Sequence, residues 1–211
     1  MLKIAVFDTG FGGELFADRL EEEMSVVGVI RVIDWRHAKR IEQHPHEIRK
    51  ITESALRPYI GTVDLIIIAN YQISTNCLSH LRRKYPDQKF VGFTLRPNRI
   101  LNRPTIILTT KPTTRSLAYF LVARELKAKT ICLDRWPSLI DDGELTDRDF
   151  ENDLERPLQN ISHLGTYQVL LACGQLNDCL PKLRETFGHN ARIVDSFDHT
   201  LLEAKRTLHL R

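Results

Sequence analysis

Short apolar segments alternate along this chain with stretches of helical periodicity, and no other feature restricts the fold as strongly. Several of the segments are almost continuously apolar, which is typical of parallel strands covered on both faces. Between them, apolar residues recur at helical spacing, as in Leu117, Phe120 and Leu121. The pattern predicts an α/β protein with parallel-rich sheets, and its strands are expected at residues 2–7, 26–33, 65–69, 90–93, 105–108, 130–133, 169–172 and 192–194.

The sequence also repeats itself at an offset of 102 residues. Residues 3–15 align with 105–117, and residues 77–85 align with 179–187 at the same offset. Two similar amphipathic helices arise easily by chance, whereas two strand–helix units at one offset indicate an internal repeat. We therefore predict two similar α/β halves, residues 1–97 and 98–194, related by pseudo-two-fold symmetry with the site in the cleft between them.

Composition narrows the range of functions. The chain has 42% hydrophobic and 27% charged residues, which is ordinary for a globular protein. Its apolar runs are far shorter than the ~20 residues of a membrane-spanning helix, and a net charge of +3 is too small to indicate nucleic-acid binding. We expect a cytoplasmic protein without membrane or nucleic-acid partners. The four cysteines form no CxxC pair, so reduced thiols are expected rather than disulfides or metal ligands.

Polar residues follow four of the predicted strands, where ligands of parallel sheets bind. In the repeat Asp8 is equivalent to Thr110 and, with a one-residue gap, Asn70 is equivalent to Cys173. These positions would bring a carboxylate, a thiol, hydroxyls, amides and helix N-terminal N–H groups to the cleft. Such groups suit a small carboxylate or amino-acid ligand.

Three segments resemble motifs of the aspartate/glutamate racemase superfamily, and glutamate racemases most closely. Residues 4–13 (IAVFDTGFGG) resemble the opening D-S/T-G-x-G-G motif, and residues 110–119 (TKPTTRSLAY) resemble T-P-A-T-x-R/K-S-x-A-Y. Residues 170–173 (LLAC), with the later 194–196 (VDS), resemble L-G-C-T-H-Y-P and the late V-D-S element. The resemblance covers essentially the whole chain. It implies that a C-terminal helix, about residues 195–211, packs back on the first half.

The resemblance also implies a chemistry. In the family, two cysteines face each other across the α-carbon of an amino acid, one removing the proton and the other returning it, without cofactor or metal. By this analogy Cys173 is an acid/base group and Asp8 assists a thiol. The expected substrate-binding residues lie around the same strand ends: Thr9, Tyr71, Gln72, Thr110, Thr113, Gly174 and Gln175.

Three working elements of the family are altered in this chain. Asn70 stands where the first cysteine is expected, and an amide is neither acid nor base at neutral pH. Gly174 and Gln175 replace the Thr-His pair after the second cysteine. The Pro-Tyr-Gly loop reads Lys-Arg-Ile at residues 39–41.

A basic cluster precedes and includes this altered loop. It contains Arg31, Arg36, His37, Lys39 and Arg40, with Trp35 among them. The default interpretation of this cluster is a solvated surface. The functional interpretation is that it replaces the lost loop and holds the carboxylate of a substrate.

The functional hypothesis is divergent, cofactor-independent racemisation of a small acidic substrate. The alternatives are a single-thiol decarboxylase or isomerase, as in the arylmalonate decarboxylases of this superfamily, or an inactive binding protein; a homodimer is left open. Cys77, Cys132 and Cys179 are expected in the core. Residues 141–155 are expected to form a loop leading into a surface helix, and the family places an acidic group near Asp141 and Asp142.

Overall fold

The computed structural model describes residues 1–25, 27–94, 103–159 and 165–210. The chain divides into two compact units: unit 1 comprises Met1–Thr94 and Ser196–Arg211, and unit 2 comprises Leu95–Asp195. The predicted boundary between residues 97 and 98 lies outside the described ranges and stays a prediction.

Unit 1 contains a four-stranded parallel sheet with the order β2-β1-β3-β4. Its strands are β1 (Leu2–Asp8), β2 (Val27–Ile33), β3 (Leu65–Ile68) and β4 (Phe90–Gly92). Every residue of β3 is buried, because the inner strands are covered on both faces. Strand β2 is at the edge, and its last residue pairs with Asp8 of β1.

Helices cover both faces of this sheet: α1 (Phe11–Glu23), α2 (Ala38–Gln43), α3 (Ile48–Leu56), α4 (Tyr71–Lys84) and α11 (Ser196–Thr207). On one face, α3 and α4 pack on Ala5 and Phe7. On the other, α1 contacts β1, β2 and α11. The Phe197 ring of α11 lies 5.1 Å from Phe16 and 5.6 Å from Phe93, so α11 completes an aromatic cluster in unit 1.

Unit 2 repeats this topology. Its parallel sheet has the order β6-β5-β7-β8, with strands β5 (Thr105–Thr109), β6 (Lys129–Cys132), β7 (Tyr167–Leu171) and β8 (Ala191–Val194). The helices are α5 (Lys111–Thr114), α6 (Leu117–Glu125), α7 (Trp136–Asp141), α8 (Asp147–Phe150), α9 (Arg156–Gln159) and α10 (Leu180–Phe187). The predicted α/β class and all eight predicted strands are confirmed.

The loop leading into a surface helix that was expected at residues 141–155 is confirmed: α7 ends at Asp141, residues 142–146 connect it to α8, and a π-helical turn, Glu151–Glu155, continues α8. The core position expected for Cys132 was wrong. Cys132 is exposed rather than buried, because it ends the edge strand β6. The apolar stripe of α6 faces solvent, with Leu117 72% exposed. No helix in the described ranges is long and apolar enough to cross a membrane.

Candidate functional site

Asp8 lies at the carboxyl end of β1 and is 3% exposed. The glycine-rich segment after it lets α1 begin close to this carboxylate. A Cβ added at Gly13 would lie 2.3 Å from the Asp8 Cβ and 2.9 Å from Cδ1 of Ile33. Glycine is therefore required at this position by the close approach of α1 to the strand end.

Asn70 is fixed by two hydrogen bonds at the carboxyl end of β3. Its Nδ2 donates to Oδ1 of Asp8 at 2.7 Å, and its Oδ1 accepts from the backbone N–H of Ile73 at 2.9 Å, which caps α4. The Thr9 N–H also donates to Oδ1 of Asp8, at 2.6 Å. The residue in the place of the expected cysteine thus holds the neighbouring carboxylate through its amide.

The side chains after Asn70 pack into unit 1. The Tyr71 ring is 5% exposed and lies 5.6 Å from the Phe93 ring. Gln72 is 9% exposed, and its Nε2 lies 3.5 Å from the carbonyl oxygen of Ile41. Residues 39–41, which stand where a Pro-Tyr-Gly loop was expected, belong to α2, and Ile41 is in the core. Tyr71 and Gln72 are therefore buried within unit 1, and their predicted roles in substrate binding stay predictions.

Cys173 follows β7 in unit 2 and is 8% exposed. Its thiol donates to Oε1 of Gln175 at 3.3 Å. The next element is a four-residue 3₁₀ turn, Gly174–Asn177, with α10 beginning only at Leu180, so no long helix starts at the thiol. Gln175, which stands where the histidine is expected, hydrogen bonds to the Cys173 thiol.

Asp141 lies near this pair of side chains. Its carboxyl group, at the end of α7, is close to the Gln175 side chain. Asp141 is exposed as a residue, yet neighbouring protein atoms desolvate its carboxyl group, and together with the like charge of Asp142 this raises the pKa of Asp141 to about 6. Asp141 thus adjoins the hydrogen bond between Cys173 and Gln175 in unit 2.

The raised pKa of Asp141 predicts a pH-dependent stability effect. Its carboxyl group binds a proton more readily in the folded than in the unfolded chain, so its contribution to the free energy of unfolding falls as the pH rises and is lowest above about 6. We expect Asp141→Asn to raise the free energy of unfolding at pH 7.5 by about 1 kcal/mol or less, since solvent screens this exposed residue, and to change little at pH 4.

Urea unfolding of the wild type and the variant at both pH values measures this difference. Glu144→Gln, at a nearby exposed carboxylate, is the matched control and should show no comparable rise. A loss of stability in Asp141→Asn at pH 7.5 would contradict the assignment.

The other predicted strand end of unit 2 is held by Asp134. The backbone N–H of Lys111 donates to Asp134 Oδ1 at 2.6 Å, and the Lys111 ammonium lies 3.0 Å from Oδ2. Thr110 immediately precedes α5, and Thr113 is 4% exposed within it. Thr110 and Thr113 therefore flank the beginning of a helix whose position Asp134 fixes.

The remaining thiols differ from one another. Cys77 is buried, and burial raises its pKa to about 11. Burial also raises the pKa of the half-buried Cys179 to about 11. Cys132 is exposed. Thiols with such raised pKa values are poor nucleophiles at neutral pH.

The structure thus assembles two clusters, Asp8–Thr9–Asn70 in unit 1 and Asp141–Gln175–Cys173 in unit 2. In the described ranges, no group of three or more His, Cys, Asp or Glu side chains is placed to hold a metal ion. The sequence did not single out Asp134 or the closeness of Asp141 to Gln175. The paired acidic residues at 141 and 142 were the available signal for the second of these.

Comparisons with known proteins agree with this architecture. No protein-family model matches the chain. A glutamate racemase of Clostridium perfringens (strain 13) is 26% identical to it over 97% of this chain and 82% of that protein. Glutamate racemase of Escherichia coli, in complex with L-glutamate and the activator UDP-MurNAc-Ala, has a TM-score of 0.80 at 22% identity, covering 99% of this chain and 82% of that one.

Aspartate racemase of Picrophilus torridus is a more distant structural neighbour. Its TM-score is 0.67 at 16% identity, and the match covers 100% of this chain and 94% of that one. Structural likeness at these identities establishes the fold, and the curated relatives add a sequence relationship over nearly the whole chain. On these grounds the chain has the fold of the glutamate and aspartate racemases and is similar in sequence to glutamate racemases over nearly its whole length.

Proposed function

We propose that this protein catalyses cofactor-independent proton transfer at the α-carbon of a small acidic substrate of the glutamate class, with Cys173 as its single acid/base thiol. The carrying observation is the asymmetry of the equivalent strand ends. Cys173 presents a thiol after β7, whereas Asn70 presents an amide after β3. The relationship to glutamate racemases supports the reaction class.

The chemistry explains what each cluster would contribute. An α-proton beside a carboxylate is very weakly acidic, so its removal needs a well-placed base and stabilisation of the charge that develops on the substrate carboxylate. In the proposal Cys173 exchanges the proton and Gln175 holds the thiol, while the Asp141 carboxyl group lies beside Gln175. Thr110, Thr113 and Gly174 would donate to the substrate carboxylate.

In unit 1 the corresponding strand ends carry a carboxylate and an amide rather than a thiol. Oδ1 of Asp8 accepts from both Asn70 and Thr9, which keeps the carboxylate in one orientation. A carboxylate held in this way is suited to the ammonium group of an amino acid. Asn70 is then a positioning residue, because its amide holds the Asp8 carboxylate.

If a single thiol acts, the substrate α-proton should exchange with solvent faster than the substrate racemises. In D₂O we expect the α-proton of one enantiomer of glutamate or aspartate, read by proton NMR, to exchange at least about tenfold faster than optical rotation is lost, because only one face meets an acid/base thiol. Asn70→Cys should raise the rate of rotation loss relative to exchange. Cys132→Ser, at an exposed thiol outside the cluster, is the matched control and should retain exchange.

The other outcomes are also decisive. Equal rates of exchange and rotation loss in the wild type would show a two-base racemase and overturn the single-thiol assignment. No exchange with either enantiomer, together with thermal stabilisation by glutamate that survives Cys173→Ser, would identify an inactive binding protein.

A single-thiol decarboxylase is the second candidate, and Asn70 is the observation that favours it. Loss of CO₂ from an arylmalonate leaves a carbanion, which one thiol suffices to protonate. Release of CO₂ from phenylmalonate, with solvent deuterium incorporated at a single face of the product, would favour this reaction over α-proton exchange of amino acids.

A further inference from the structure

The surface helix α6 of unit 2 is apolar on almost every side. Its sequence, LAYFLVARE, is apolar except for the last two residues, and only Tyr119 within this helix is buried. Phe120 is 55% exposed and Leu121 is 53% exposed, and together with Leu117 they have the spacing of one helix face. A helix that is apolar all round is normally covered by other elements. The α6 stripe, which comprises these three exposed residues, is therefore a packing surface without a cover.

The internal repeat indicates which neighbour α6 lacks. At the offset of 102 residues, α6 is equivalent to the second part of α1, and α1 packs beside α11 in unit 1. The Phe16 ring of α1 lies 5.1 Å from the Phe197 ring, and the Arg19 guanidinium lies 3.9 Å from the Asp198 carboxylate. Leu121 is equivalent to Arg19 in the repeat. It therefore lies on the side of α6 where a neighbouring helix is expected.

Unit 2 does not supply this neighbour from its own chain. After β8 the chain continues directly into α11, which belongs to unit 1. No helix follows β8 in the part of unit 2 that the structure describes. A helix from another molecule can therefore take the place beside α6 that α11 takes beside α1.

The two ends of α6 carry opposite charges. Arg115 precedes the N-cap residue Ser116, and Glu125 is the last residue of the helix. Arg115 and Glu125 are exposed, and neither makes an ion pair with any residue that the structure describes. An antiparallel copy of α6 would bring each Arg115 beside Glu125 of the second copy and would place the two helix dipoles in opposite directions. The surface is therefore complementary to itself, as a two-fold contact requires.

We propose that α6 is the contact surface between two copies of this chain, which pack their α6 helices antiparallel about a two-fold axis. With the axis between residues 120 and 121, Phe120 lies against Leu121 of the second copy, and the hydrocarbon stem of Arg124 covers Leu117 of the second copy. The stripe is small compared with the ~800 Å² that each partner of a stable complex buries, so we expect reversible association with a dissociation constant of roughly 10–100 µM. This proposal is independent of the reaction proposed for Cys173.

Sedimentation velocity at protein concentrations from about 5 to about 500 µM tests this contact. We expect the wild type to shift from monomer to dimer over this range. Leu121→Glu places a charge at the centre of the contact and should raise the dissociation constant at least about tenfold. Leu121 is exposed in the single chain, so the variant should keep its fold, which far-UV circular dichroism checks. Trp35→Glu, at an exposed aromatic side chain of unit 1, is the matched control and should associate as the wild type does.

A charge exchange tests the antiparallel orientation. Arg115→Glu places like charges together at both ends of the contact and should weaken association several-fold, whereas Arg115→Glu/Glu125→Arg should restore the wild-type dissociation constant. A wild type that remains monomeric at about 500 µM would overturn the proposal and leave the stripe to a partner of another kind. Association of Leu121→Glu equal to that of the wild type, or a charge exchange that restores nothing, would overturn it as well.

Discussion

Cys173→Ser is expected to lower the rate of α-proton exchange by roughly 10²–10⁴-fold, the usual contribution of a positioned acid/base group. A serine hydroxyl is a far weaker acid than a thiol and does not supply an anionic base at neutral pH. The Cys173 thiol is nearly buried and bound by Gln175, so the smaller hydroxyl fits the same place. The measurement is proton NMR of the substrate in D₂O.

The same variant distinguishes a loss of catalysis from a loss of substrate binding. Thermal stabilisation by glutamate should be nearly unchanged in Cys173→Ser, because the groups proposed to hold its carboxylate and ammonium remain. Cys132→Ser removes the exposed thiol at the end of β6 and should keep the wild-type rate. If the two serine variants had the same exchange rate, Cys173 would be a structural thiol.

Gly13→Ala is expected to lower the free energy of unfolding by about 1–3 kcal/mol, the usual cost of forcing atoms into a filled site. The new methyl group would lie 2.3 Å from the Asp8 Cβ, a distance that requires α1 or β1 to shift. Alanine favours a helix over glycine by about 1 kcal/mol, which offsets part of this cost. Exchange should fall as well, because Asp8 moves away from Asn70 and Thr9.

Gly28→Ala is the matched control for this change. Its added Cβ would meet the flexible end of the Met1 side chain at 3.0 Å and the Leu2 carbonyl at 3.7 Å, so a small rearrangement accommodates it. Urea unfolding of both variants measures the difference. Equal stabilities of the Gly13 and Gly28 variants would refute the role of Gly13 in the approach of α1 to the strand end.

The sequence predicted the sheets well because buried parallel strands leave a local signal. Residues 65–69 are an uninterrupted apolar run, and β3 occupies Leu65–Ile68. The offset of 102 residues also predicted a common plan, and the two sheets share one strand order. Both signals depend on which residues are apolar, and burial determines that pattern directly.

Features that depend on neighbours far along the chain were not predictable in this way. Cys132 lies within a strand pattern and was therefore expected in the core. Its strand is at the edge of the sheet, and this position follows only from the strand order. The stripe on α6 has the spacing of a buried face and lies in solvent. Asn70 was recognised as a departure from the family motif, whereas its two hydrogen bonds depend on Asp8 and Ile73 being brought to it.

The position of α11 has a consequence for synthesis of the chain on the ribosome. The Phe197 ring completes the cluster of Phe16 and Phe93, yet all of unit 2 lies between Phe93 and Phe197 in the sequence. Translation therefore delivers the whole second sheet before the first sheet receives its last helix. During that interval a nascent chain exposes aromatic surface of unit 1, the kind of surface that chaperones recognise.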